Sequence, residues 1–110
     1  MTYDVLQELV ETIHERRAAA TGNSYTKQLI EKGTLKCAKK VGEEAVEVAL
    51  AAVAEDDDAV AGEAADLIYH LLVLLEARNV PFDAVLTKLA DRKGRSGIAE
   101  KAARSTAPAD

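Results

Sequence analysis

The stretch Val60-Ala61-Gly62-Glu63-Ala64-Ala65-Asp66-Leu67-Ile68-Tyr69-His70-Leu71-Leu72-Val73-Leu74-Leu75 decides the fold class. At the α-helical angle, Val60, Ala64, Leu67, Ile68, Leu71, Leu72, Leu74 and Leu75 cover most of a helix circumference, so this helix must be covered on nearly every side. Glu63, Asp66 and His70 share one narrow arc of the same wheel, flanked by Leu67 and Leu74. Acids rarely enter such a face without a partner.

A second acidic pair lies upstream. Glu44 and Glu47, with Glu43 beside them, are spaced i,i+3, as are Glu63 and Asp66. At that spacing two side chains share a helix face, roughly 5–6 Å apart at Cβ. Antiparallel helices would bring four carboxylates together. At an effective dielectric near 20, each like pair ~6 Å apart costs about 3 kcal/mol. Water or a cation must relieve that repulsion, and an all-oxygen cluster suits Mg²⁺, with Mn²⁺ as the alternative. The competing reading is an ion-pair ladder from Lys36 or Lys40 to Glu43 or Glu44. It leaves Glu47, Glu63 and Asp66 without a cationic neighbour in sequence. Di-iron bundles use two Glu-x-x-His motifs, and here Glu11-Thr12-Ile13-His14 occurs without a second copy.

Outward from these segments the helical period continues and strand alternation is absent. Val5, Leu6, Leu9, Val10 and Ile13 stripe a first helix, about residues 3–20, which Thr21-Gly22-Asn23 ends. Ser24 or Thr26 caps a short second helix that Gly33 stops. Thr34 N-caps a third, about 35–55. Its face carries Lys36, Lys40, Glu44 and Glu47 beside Cys37, Val48 and Ala51, and Gly42 invites a close backbone approach. The run Glu55-Asp56-Asp57-Asp58 makes the turn, its charge suiting the start of a fourth helix over about 59–78. Asn79-Val80-Pro81 breaks it, with Pro81 a good N1 residue, and a fifth helix follows from Phe82 to about Lys93. Residues 94–97 form a loop, 98–104 a last helical turn or two, and 105–110 a frayed tail. The expectation is one all-α domain over residues 1–110, a helical bundle of four to five helices. The apolar fourth helix calls for a homodimer.

Length and charge narrow the classes. A chain of 110 residues fits one domain, and a net charge of −5 argues against nucleic-acid binding. Residues 41–77 hold ten acids and no Lys or Arg. The single cysteine, Cys37, forms no intramolecular disulfide and reads as a small buried residue. The longest apolar run, Val48 to Ala54, is far short of a membrane span, and the N-terminus lacks signal-peptide character. The chain reads as soluble and cytoplasmic.

Lys39-Lys40-Val41-Gly42-Glu43-Glu44-Ala45-Val46-Glu47 and the stretch from Glu63 to Leu75 resemble the phosphoribosyl-ATP pyrophosphatase family, within the wider MazG-like all-α nucleotide pyrophosphatases. Ser24-Tyr25-Thr26 with Leu29 and Gly33, and residues 96–104, extend the resemblance over about residues 24–104. It implies a dimeric, Mg²⁺-dependent bundle. The implied reaction is hydrolysis of phosphoribosyl-ATP to phosphoribosyl-AMP and pyrophosphate, the second step of histidine biosynthesis. The metal ligands would be Glu44, Glu47, Glu63 and Asp66. Glu43 or Glu47 would take the proton of the attacking water. Lys40, Arg92 and Arg95 are phosphate-binding candidates by charge and rough placement. His70 and Tyr69 read first as packed, hydrogen-bonded side chains, with a ligand or acid–base role for His70 as the second reading. Two other functions compete: a housekeeping nucleoside triphosphate pyrophosphatase with a different base pocket, and a non-catalytic dimerisation module whose acids are surface alone.

Overall fold

The computed structural model describes residues 2–19 and 24–93. Its helices are α1 (Thr2–Ala18), α2 (Tyr25–Lys32), α3 (Thr34–Ala54), α4 (Asp57–Ala77) and α5 (Phe82–Lys93), and the described residues contain no strand. The protein is all-α, as the periodicity requires. By internal contacts it divides into Met1–Val80 and Pro81–Asp110, and each unit is described by itself. The expected end of α1 at Thr21-Gly22-Asn23, the 94–97 loop, the 98–104 turn and the 105–110 tail lie outside the described residues.

In the first unit α3 and α4 pack most extensively, with α1 and α2 against them. Only Glu55 and Asp56 separate α3 from α4, and so short a link turns the second helix back antiparallel to the first. The acidic run is therefore used in two ways. Asp56 caps α4, its side chain accepting from Ala59 N at 2.9 Å, while Asp57 and Asp58 are already helical and meet the positive end of the dipole. Glu47 and Glu63, and likewise Glu44 and Asp66, are symmetric about Glu55 in sequence. A hairpin folded there sets each pair at one height, because both helices rise equally per residue.

The α2–α3 junction departs from expectation. Thr34 is not the cap of α3 but its first residue. Gly33 occupies the cap, at φ 100° and ψ 170°, with no side-chain hydrogen bond. Only glycine adopts that conformation readily, and it lets one residue end α2 and start α3. Ser24 caps α2, accepting from Lys27 N at 3.0 Å; Thr26 is instead buried inside it. Gly42 does not mark a close approach either: a Cβ built there meets nothing within 4 Å among the described residues.

The C-terminus of α4 is closed by Asn79 in the left-handed region, φ 59°, with Val80 N donating to Leu75 O at 2.9 Å, a Schellman-type ending. Arg17 of α1 clasps this end, donating to Glu76 O at 2.6 Å and Asn79 Oδ1 at 2.8 Å. His14, the histidine of the lone Glu-x-x-His, is spent on Glu76 at 2.7 Å.

The buried apolar side chains are Ile13, Leu29, Cys37, Ala51, Leu72 and Val73, from all four helices of this unit. Val5, expected in the α1 stripe, is exposed. Cys37 is the buried residue its surroundings in sequence predict: Sγ lies 3.3 Å from Leu29 O, and burial pushes the thiol above its ordinary value. In the second unit Pro81 precedes α5 rather than occupying its first turn, and its carbonyl accepts from Ala84 N at 3.0 Å. No described helix is long and apolar enough to cross a membrane.

Candidate active site

The α3–α4 hairpin brings carboxylates from both helices to one place. One oxygen from each of Glu44, Glu63 and Asp66 lies within 4.8 Å of the others. Glu44 and Glu63 are half-buried and Asp66 is exposed. Glu47 is outside this trio but close to it. Partial burial raises the Glu63 carboxyl above the ordinary carboxylate range, and Glu47 is the next cause, ahead of Asp66, Glu44 and Glu55. Three hard oxygen donors at this separation, with no sulfur or ring nitrogen among them, match what Mg²⁺ or Mn²⁺ takes. The residues fit such an ion, which would also relieve the repulsion that adds to burial in raising Glu63.

Lys40 borders the cluster. Its Nζ is 3.5 Å from Glu43 and 3.8 Å from Glu44. The ion-pair ladder thus exists, and its rungs run from Lys40 to those two acids. The Lys40 ammonium is held above its ordinary value, first by the Tyr25 oxygen and, against partial burial, by Glu43 and Glu44.

Behind the carboxylates lies an aromatic cluster. His70 is buried, its Nδ1 at 2.8 Å from the Asp66 carbonyl and its Nε2 at 3.0 Å from the Tyr25 hydroxyl. The Thr26 and Tyr69 hydroxyls hydrogen-bond each other, and the Tyr25 and Tyr69 rings stack with centroids 6.5 Å apart. Ser24-Tyr25-Thr26 and Tyr69-His70 therefore pin α2 to α4 directly behind Asp66. His70 is a packed, hydrogen-bonded residue and not one of the clustered ligands.

The model of the family described as phosphoribosyl-ATP pyrophosphohydrolase matches residues 6–93, spanning every residue of this arrangement. The chain belongs to the phosphoribosyl-ATP pyrophosphohydrolase family. A phosphoribosyl-ATP pyrophosphatase of Novosphingobium aromaticivorans is 54% identical over 102 residues, covering 93% of this chain and 95% of that protein. Proteins of the same name from Caulobacter sp. strain K31 and Ruegeria pomeroyi are 53% and 50% identical, covering 94% and 95% of their lengths.

The remaining phosphate candidates of this family member are Arg92 and Arg95. Arg92 lies on α5, in the second unit, and Arg95 lies outside the described residues. The partners of His70 were not readable from the chain, because they depend on how α2 crosses α4; the hydroxyl and imidazole pairs Tyr25-Thr26 and Tyr69-His70 are the only signal in sequence.

Proposed function

We propose that the hairpin cluster is a divalent-cation site at which this protein hydrolyses phosphoribosyl-ATP to phosphoribosyl-AMP and pyrophosphate, in histidine biosynthesis. The observation that carries this reading is the convergence of Glu44, Glu63 and Asp66 in a chain that matches the family through nearly its whole length. Glu44, Glu63 and Asp66 would hold Mg²⁺, or Mn²⁺ in its place, and Glu47 would complete the set from one turn along α3. The ion supplies charge neutralisation of the triphosphate and stabilises the departing pyrophosphate.

The chain's own groups do the rest. Lys40 offers its ammonium to a phosphate oxygen at the edge of the carboxylates. The proton of the attacking water goes to a carboxylate outside the trio. Glu47 suits this better than Glu43, whose carboxylate is already paired with Lys40. Arg92 and Arg95 are further candidates for phosphate, each carrying the right charge. The protein works as a homodimer in the cytoplasm on this reading. Val46, Leu50, Val53, Ile68 and Leu71 are exposed apolar residues of α3 and α4, and a second copy would cover them.

The test is pyrophosphate release from phosphoribosyl-ATP with Mg²⁺ in Glu44→Gln and Glu63→Gln. Removing a ligand charge should lower kcat/KM by about a hundredfold or more. Rates near wild type in either variant remove the metal role. A parallel panel of ordinary nucleoside triphosphates separates this reaction from that of a housekeeping pyrophosphatase.

A further inference from the structure

The first unit carries a second cluster of charge, opposite in sign to the carboxylates. An open cavity of about 600 Å³ is lined by Lys32 at the end of α2 and by Leu35, Lys36, Ala38 and Lys39 of α3. That is the size of a small-molecule site, roughly 300–1,000 Å³. Lys36 is half-buried, and Lys32 and Lys39 are exposed. None of the three lysines pairs with a carboxylate among the described residues; the ion pairs of this stretch belong to Lys40. Leu35, 85% exposed, gives the cavity an apolar wall.

Local electrostatics disfavour three cations at this place. Lys36 and Lys39 are spaced i,i+3 on α3, so their charges repel on one side of the helix. The first turn of α3 has no acid and contains Lys36, where the helix dipole opposes a cation. Glu43, four residues beyond Lys39, is turned to Lys40 instead. An anion in the cavity relieves each of these small costs. Three ammonium groups beside an apolar wall suit a phosphate carried on a larger organic body, with the phosphate on the lysines and the body against Leu35.

We propose that this cavity holds the 5′-phosphate on the second ribose of phosphoribosyl-ATP, and so separates that substrate from an ordinary nucleoside triphosphate. This rests on the reading of the carboxylate cluster as the site of hydrolysis. The substrate carries phosphate at both ends. The triphosphate is met by the divalent ion and Lys40, and the lone phosphate at the far end calls for cations of its own. One helix supplies both sets. Lys36 lines the cavity and also heads the stripe that continues through Lys40 to Glu44 and Glu47. It lies about two turns along α3 from Glu44, roughly 12 Å. A ligand held at both ends is therefore measured against a rigid rod. Lys32, Lys36 and Lys39 set specificity and touch no reacting atom.

The test is steady-state hydrolysis with Mg²⁺ of three substrates by the full chain: phosphoribosyl-ATP, ribosyl-ATP (the same molecule without the 5′-phosphate) and ATP. It uses the wild type, the double variant Lys36→Gln with Lys39→Gln, and the triple variant that adds Lys32→Gln. Wild type should favour phosphoribosyl-ATP over ribosyl-ATP in kcat/KM by about tenfold or more, mostly through KM, the scale of one charge-assisted contact to phosphate. That ratio should shrink in the double variant and approach one in the triple variant. Both substrates are read on the same preparation, so a loss of folded protein cancels from the ratio. A triple variant that keeps the wild-type ratio overturns the proposal. So does a wild type that prefers phosphoribosyl-ATP to ATP but not to ribosyl-ATP, and either result leaves hydrolysis at the carboxylates standing. A wild type that is inactive on phosphoribosyl-ATP, or that hydrolyses ATP as readily, removes the underlying reading and the proposal with it.

Discussion

Glu63 is the residue on which the electrostatics of the site turn. Its carboxyl is raised by partial burial and then by Glu47, Asp66, Glu44 and Glu55, so the folded chain holds this proton more tightly than the unfolded chain does. The stabilisation from Glu63 is therefore complete below the ordinary carboxylate range. It is lost as pH rises through the elevated value. The cation-free protein bears this penalty at neutral pH, where a divalent ion has most to relieve. Calorimetric melting with and without Mg²⁺ should show a larger gain in Tm at pH 8 than at pH 5. An ion at about a hundred times its dissociation constant adds about 2.7 kcal/mol. No gain at pH 8 would mean the carboxylates hold no ion. The spacing of these acids was legible in the chain, because i,i+3 on a helix fixes a shared face. Which acids would touch across the hairpin depended on where the turn fell. The helices bracket the turn at Glu55–Asp56, which makes Glu44 and Asp66 partners in height.

Among the elements, α2 and α3 show how much one backbone angle decides. Gly33 at φ 100° has open space around its missing Cβ, so any side chain there suffers from the backbone alone. Gly33→Ala should destabilise by about 1–3 kcal/mol, read as a lower denaturant midpoint. Gly42 is the contrasting case: it too is open, lies mid-helix and has no positive φ. Gly42→Ala should stabilise by about 1 kcal/mol through helix propensity. The same substitution thus has opposite signs nine residues apart, and equal signs would contradict the backbone argument. The sequence marked both glycines but not their difference, since only the path of the chain between α2 and α3 demands a left-handed residue. At the other end of the hairpin, Arg17 donates to the Glu76 carbonyl in the last turn of α4. Arg17→Ala should cost about 1–3 kcal/mol of stability, with kcat per folded molecule unchanged because the clasp lies at the far end of α4 from the turn.

At the scale of the whole molecule, the balance between covered and uncovered apolar residues matters most. Among the described residues of the first unit six apolar side chains are buried, a small set for a fold that must offset the conformational entropy of its chain. Val53 is 89% exposed, and Leu50 and Val46 share its stripe on α3. Ile68 and Leu71 are open on α4, the helix whose wheel is apolar nearly all round. Fully covering one such side chain contributes about 1.5–3 kcal/mol, so a partner over the hairpin offers a gain that α1 and α2 do not supply. A second copy of this chain is the occupant we propose, because the uncovered residues lie on the same two helices that build the site. Sedimentation equilibrium should give twice the 11.8 kDa monomer mass. Leu50→Glu should shift the population toward monomer, since a charge buried in such a seam has no partner. A wild-type chain that sediments at the monomer mass would leave the exposed stripe without this explanation, and the α4 wheel would then have overstated how much cover the helix needs.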